Sequence, residues 1–354
     1  MNEKLSGKKP KVLVIGVDQA ITCLLDKFVE EGDMPAFARL LENGIKLEAY
    51  PSIPCDTPTN WTTIATGAPA AIHGATSFYV HVPGEEFDLG LKQRSRSQLS
   101  RMCNTEYFWD VADEAGLRTF IMNYPAGWPA KLKHGAMSLF TWKVPESIPM
   151  IAFPPSEKTY YSIENVGCKD PNLDKIKSDI PIKKFIITKG KMLETPADHE
   201  RSINQVTCYL CSSNGKNYNQ IAILADNLRI DRQYKYANVG QWTDWISIEV
   251  NTQHGILPCL FKMRPDMIES QGEKLTLSFS TFYNTKGWTS PESIALELVK
   301  HALGSDLVAD EHEVEYMFEG DVQPFLLEAH KEVQSISRSI AYAKELLNWQ
   351  ICFF

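Results

Sequence analysis

The densest chemistry in the chain lies in Pro54-Cys55-Asp56-Thr57-Pro58-Thr59-Asn60-Trp61, continuing through Thr62-Thr63-Ile64-Ala65-Thr66-Gly67. Pro58 suits a first helical position, Thr57 the cap before it, and Gly67 the left-handed residue that closes a last turn. A hydroxyl at such a helix start faces unpaired backbone N–H groups and the positive end of the helix dipole. That place favours a phosphate, a sulfate or the alkoxide of the Thr itself. Capping is the ordinary use of a Thr there, so Thr57 taken alone reads first as a cap. A second chemical residue is Asp18, a carboxylate at the end of the apolar run Lys11-Val12-Leu13-Val14-Ile15-Gly16-Val17. It stands either as a metal ligand or as a cap for the next helix.

The elements around these residues follow from pattern. An almost unbroken apolar run reads as a strand buried on both faces of a parallel sheet. In open α/β sheets the ligand crevice lies outside the carboxyl ends of such strands, which is where Asp18 falls. Helices are expected near 20–31 and from Met34 to Glu42, the second stopped by Asn43-Gly44, with a short strand from Ile45 to Tyr50. A helix from Glu106 to Ala115 ends at Gly116, and Leu117 to Asn123 reads as a central strand.

Together these stretches resemble the alkaline phosphatase superfamily, in its type I phosphodiesterase/nucleotide pyrophosphatase branch. The matching pieces are Val14-Ile15-Gly16-Val17-Asp18, Gly32-Asp33-Met34-Pro35, Leu40-Leu41-Glu42-Asn43-Gly44, Pro54 to Asn60, Ala65-Thr66-Gly67 and His73-Gly74. Asn123-Tyr124-Pro125 extends the likeness to about residue 130. The resemblance implies Asp18 as a metal ligand and Thr57 as a nucleophile that also touches metal. It implies Asn60, three residues on, as the group holding a non-bridging oxygen of the substrate. Thr59 is the rival nucleophile, less well spaced because it adjoins Asn60. Gln19 departs from the family, which usually has Gly there. The fold implied is an α/β/α sandwich of the alkaline-phosphatase type, with a β-rich inserted cap. Its cofactor would be two divalent metal ions, zinc foremost, and its substrate a small phosphate ester. His73 reads as structural, and Asn123 reads more as turn support than as a site residue, although a strand end puts it within reach.

Composition bounds the rest. At 354 residues the chain can bury a large core in one or two domains. A net charge of −8 argues against a broad nucleic-acid-binding face. The polar N-terminus lacks the apolar stretch of a signal peptide, and no run approaches the ~20 apolar residues of a membrane span. Eight scattered cysteines fit reduced thiols, hence a cytoplasmic location. Cys208 and Cys211, three apart in a strand-like run, would face opposite sides and make no metal site. Lys92, Arg94, Arg96 and Arg101 lie between acidic neighbours and read as a solvated face rather than a phosphate clamp.

Three regions are expected: 1–144 as the first part of a catalytic α/β domain, 145–285 as a β-rich insertion or cap, and 286–354 as the return to the catalytic domain. Leu275 to Phe282 alternates with the period of a half-exposed strand. Trp242 and Trp245 serve as packing or as cleft lining. A helix opens at Ser290-Pro291, a longer one spans about 324–347 with apolar residues at 326, 333, 336, 340, 343 and 347, and the last residues read as a buried strand.

Later family ligands are not matched. A paired-metal hydrolase needs several carboxylate and His ligands around ions about 4 Å apart. The family supplies them as Asp-x-x-x-His, then Asp-His, then a last His. No Asp stands four residues before any His here; Glu297 and His301 have the spacing, and Asp198-His199 is a pair placed too early. The expectation is therefore a piece of a longer protein with little turnover of its own. The function implied is metal-dependent hydrolysis of a phosphoric diester or pyrophosphate through a phosphothreonine. A phosphomonoesterase, phosphonate hydrolase or phosphomutase on the same frame is the alternative within enzymes, and a catalytically inactive binding relative is the alternative outside them. The sulfatase branch is disfavoured, because its Cys/Ser-x-Pro-x-Arg motif is absent from this chain at the nucleophile.

Overall fold

A computed structural model describes residues 11–161, 182–187, 202–203, 206–225, 233–304, 307 and 322–354. The chain divides into two compact units. The first runs to Glu146 and takes back Leu347–Phe354; the second is Ser147–Leu346.

In the first unit a parallel ladder sets the frame. Val12–Val14 pairs with Ile351–Phe353, which pairs with Thr119–Met122, which pairs with Ala136–Ser138. Thr119–Met122 and Ile351–Phe353 are wholly buried, as continuous apolar strands of a covered parallel sheet should be. Val12–Val14 differs from expectation. It lies at the sheet's edge, with Val12 and Leu13 about half exposed. Covering a strand on both faces requires neighbours on each side, and among the described residues this one has a neighbour on one side only.

Helices Thr22–Glu30 and Pro35–Asn43 form where the pattern placed them, but neither buries a residue. Residues 45–50 form no ladder, so the short strand expected there is not made. The helix at the nucleophile loop spans Thr57–Thr66 and ends at Gly67, whose φ of +69° is the left-handed value that Gly adopts without steric cost. Behind it lies an aromatic core. Trp109 meets Tyr124 edge-on at 5.4 Å and Phe353 at 5.7 Å, and stacks on Tyr107 at 4.7 Å.

The second unit is antiparallel and β-rich. Its described sheets run Gln233–Asn238, Gln220–Ala225, Val206–Cys211, Lys183–Ile187; then Ile151–Phe153, Phe282–Asn284, Gly255–Phe261, Ile246–Thr252, Ser202–Ile203; then Met263–Ile268, Lys274–Phe279, Ser156–Tyr161. Their inward faces share one apolar cluster in which Phe261 stacks on Phe282 at 4.2 Å. Helices Ser293–His301 and Val322–Leu347 belong to this unit, except Leu347. The long helix buries Ser335, Ile336, Ser339 and Ala343, while Leu326 and Val333 are more than half exposed, a narrower stripe than the apolar spacing implied. Among the described residues no helix is long and apolar enough to cross a membrane.

Candidate active site

Thr57 is not the cap of its helix. Asp56 is: its Oδ1 accepts the Thr57 N–H at 2.9 Å, and its Oδ2 accepts the Phe78 N–H at 3.2 Å. Asp is as strong a cap as Thr and carries a charge matched to the helix dipole, so it takes the post one residue earlier. Thr57 becomes the first helical residue, and its hydroxyl has no hydrogen-bond partner among the described residues.

Thr57 lines a cleft of about 180 Å³ together with Gly16, Asp18, Trp61, Asn123, Tyr124 and Phe354 among others. The structure thus brings Asp18 and Thr57 to one place, 39 positions apart in sequence, although the strand expected to run to Val17 ends at Val14 and Asp18 lies in the turn after it. Trp61 Nε1 points at Asp18 Oδ1 from 3.4 Å. Gly16 is required there: a Cβ on it would lie 2.1 Å from the Trp61 ring. Gln19, where the resembling family usually has Gly, adopts φ +55°, a conformation a Gly takes freely and most other residues only with strain.

Asn60 does not line the cleft. Its Oδ1 accepts the Ser52 N–H at 2.7 Å and its Nδ2 donates to the Asp56 carbonyl at 3.0 Å, so both ends of the amide hold the loop. Thr59, the rival nucleophile, is fully buried on the inner helix face. His73 is structural: its Nδ1 accepts the Ala75 N–H at 3.1 Å, which puts the ring proton on Nε2, facing Thr63 Oγ1 at 3.0 Å. Burial lowers its pKa because the charged imidazolium loses its water.

Lys92, Arg94, Arg96 and Arg101 are each engaged away from the cleft. Arg96, expected on a solvated face, is buried, with its Nε on the Val80 carbonyl and its guanidinium on Glu85. That contact holds the Glu85 carboxyl below its usual range. Arg101 makes a two-pronged contact with Glu146, Lys92 pairs with Asp88, and Arg94 lies over the Phe78 ring. In the second unit Arg264 stacks over Trp242 and Lys262 over Trp245, so both Trp side chains are in packing contacts. Cys208 and Cys211 are buried in separate clusters, as opposite faces of one strand require. Glu297 and His301 approach to 3.8 Å as neighbours on one helix turn, with the Tyr342 hydroxyl donating to Glu297. Asp198 and His199 lie outside the described residues.

Residues 12–213 match the family model of type I phosphodiesterase / nucleotide pyrophosphatase, more than half of the chain. The chain belongs to that family. It is therefore a hydrolase of phosphoric esters within the alkaline phosphatase superfamily. Its several sheets with flanking helices are consistent with that superfamily's mixed α/β fold. No curated protein and no solved structure matches it.

The family is typically metal-dependent. Among the described residues no group of three or more His, Cys, Asp or Glu converges. In the cleft the donors for a cation are one carboxylate, Asp18, and one hydroxyl, Thr57. A pair of divalent ions needs more ligands than that, so the described residues do not fit a two-ion site.

Sequence reasoning missed Tyr124 and Trp142 as cleft residues and Asp56 as the cap. Asp56 was legible, since Asp outranks Thr slightly at caps. The cleft wall was not, because it is assembled from strand ends and loops distant in sequence.

Proposed function

We propose that Thr57 is the nucleophile in the hydrolysis of a small phosphodiester or pyrophosphate. Its Oγ–P bond forms as the bond from phosphorus to the leaving oxygen breaks, and water then splits the phosphothreonine. The observation that supports this reading is the division of labour at the helix start. Asp56 satisfies the helix, and the Thr57 hydroxyl is left without a partner in the cleft beside Asp18. The positive end of the helix dipole favours the alkoxide and the incoming phosphoryl group alike. Asn60 serves the reaction by fixing the loop that presents Thr57. Asp18 and Thr57 are the cleft residues that would contact a cation, zinc foremost, and further ligands would have to come from beyond the described cleft.

The test uses bis(p-nitrophenyl) phosphate with p-nitrophenyl phosphate as the monoester control. Thr57→Val keeps the shape and removes the hydroxyl. Hydrolysis of the diester is expected to fall at least ~10³-fold, as for loss of a covalent nucleophile. Acid quenching of the wild-type protein is expected to leave one phosphoryl group on Thr57. Wild-type turnover by Thr57→Val would end the reading. Chelator treatment tests the cation separately: an undiminished rate would remove Asp18 as a ligand.

A further inference from the structure

Asn123 follows the buried strand Thr119–Met122 and sits at its carboxyl end, where the cleft opens. Its φ is +54°. Asn enters the left-handed region more readily than other side-chain-bearing residues, though less freely than Gly. Two bonds pin it. Its N–H donates to the Ser138 carbonyl at 2.8 Å. Its Oδ1 accepts the Trp142 N–H at 3.0 Å, sharing that N–H with the Leu139 carbonyl at 2.8 Å. A backbone N–H can only donate, so the amide atom facing Trp142 is the oxygen. The other end of the amide, Nδ2 with its two hydrogens, has no protein partner among the described residues.

Apart from the Thr57 hydroxyl, the other side-chain donors of the cleft are committed. Tyr124 Oη donates to the Trp61 carbonyl at 2.8 Å, Trp142 Nε1 to Gln98 Oε1 at 3.1 Å, and Trp61 Nε1 is directed at Asp18. No Lys or Arg lines the cleft. Asn123 Nδ2 is therefore its one uncommitted side-chain N–H donor. A phosphoryl group brings non-bridging oxygens that need such donors, and a fixed neutral donor stabilises charge as it develops.

We propose that Asn123 Nδ2 donates to a non-bridging oxygen of the phosphoryl group at Thr57, which makes Asn123 a catalytic residue. This assignment rests on the reading of the cleft as a phosphoryl-transfer site.

Asn123→Asp tests it directly. Asp has the same shape, keeps an oxygen for the Trp142 N–H and tolerates the left-handed backbone, but replaces the donor with a negative oxygen. Asn123→Gly removes the donor without adding charge and accepts the backbone conformation freely. Two readouts are taken on wild type, both variants and Thr57→Val: diester hydrolysis, and binding of orthophosphate and orthovanadate followed by the fluorescence of Trp61 and Trp142. The expected result is a ~10²–10³-fold fall in kcat/KM for both Asn123 variants, the size seen when one oxyanion donor is removed. Anion binding should weaken at least ~10-fold, with the thermal midpoint of Asn123→Asp close to wild type.

Anion binding and hydrolysis by Asn123→Asp at wild-type levels would overturn the proposal, since that is what turn support alone predicts. Failure of the wild type to bind either anion would overturn it too. Wild-type anion binding that Asn123→Asp loses and Thr57→Val keeps, with no change of hydrolysis in Thr57→Val, supports the Asn123 assignment while ending Thr57 as nucleophile.

Discussion

Residues 11–53 and residues 96–142 both line one cleft and are held in different ways. Not one residue of 11–53 is buried; Ile45, Leu47, Tyr50 and Ile53 are each more than four-fifths exposed. That stretch is tied down by backbone bonds, Gly16 N–H to the Phe354 carbonyl at 2.7 Å and Phe354 N–H to the Val14 carbonyl at 2.9 Å, and by polar contacts such as the Ser52 N–H donating to Asn60 Oδ1 at 2.7 Å. The second stretch is packed. Phe120, Ile121 and Met122 are fully buried, and Ile121 packs in one cluster with Trp109, Tyr124 and Trp128. Local stability follows buried apolar contact, so the two walls differ in stiffness. The wall that carries Asn123 and Tyr124 is fixed, and the wall that carries Asp18 is lightly held. A donor that must meet a developing charge belongs on the fixed wall, where it needs no reorganisation. Native-state hydrogen exchange checks the contrast: amides of Thr119–Met122 should exchange only with global unfolding, and those of Val12–Val14 well below that free energy.

Substitutions sharpen the comparison in descending order. Trp109→Ala removes the ring that Tyr107, Tyr124 and Phe353 pack on, and should cost ~3–5 kcal/mol in chemical denaturation. Gly16→Ala places a methyl group against Trp61, where the two walls meet. A cost of ~1–3 kcal/mol is expected, together with a changed Trp61 emission. An unchanged spectrum would mean that the edge strand yields instead. His73 adds a pH dependence. Its pKa is lowered in the folded protein by burial, so the unfolded chain binds the proton first as pH falls below about 6.5. Stability should therefore decline below that pH, by up to ~1.4 kcal/mol per pH unit from this group, until the folded protein's own lowered pKa is reached. His73→Gln should flatten this part of the profile. Ile45→Ser should change stability by no more than ~0.5 kcal/mol, because the side chain is already in water. A larger loss would show that the exposed wall is covered in solution.

The helices of the first stretch and the strand before them were legible because caps, Gly stops and periodicity are local. Their burial was not, since it depends on what lies across from them. Val12–Val14 has the composition of a central strand and the position of an edge strand. The same limit applies to the site. The helix start at Thr57 was legible in the motif, while the hydrogen-bond partners of its members were not. Asn60 turned to Ser52 and Asp56, and Asp56 took the cap.

By itself the sequence determined the chemical types, the strand-to-loop and loop-to-helix junctions that carry Asp18 and Thr57, and the family, because these depend on residues close together in the chain. Only the tertiary structure decided which hydroxyl is left unpaired, which amide end is free and which arginines are occupied. Each of these depends on partners such as Trp142 for Asn123 and Glu85 for Arg96, whose positions come from packing rather than from local propensity.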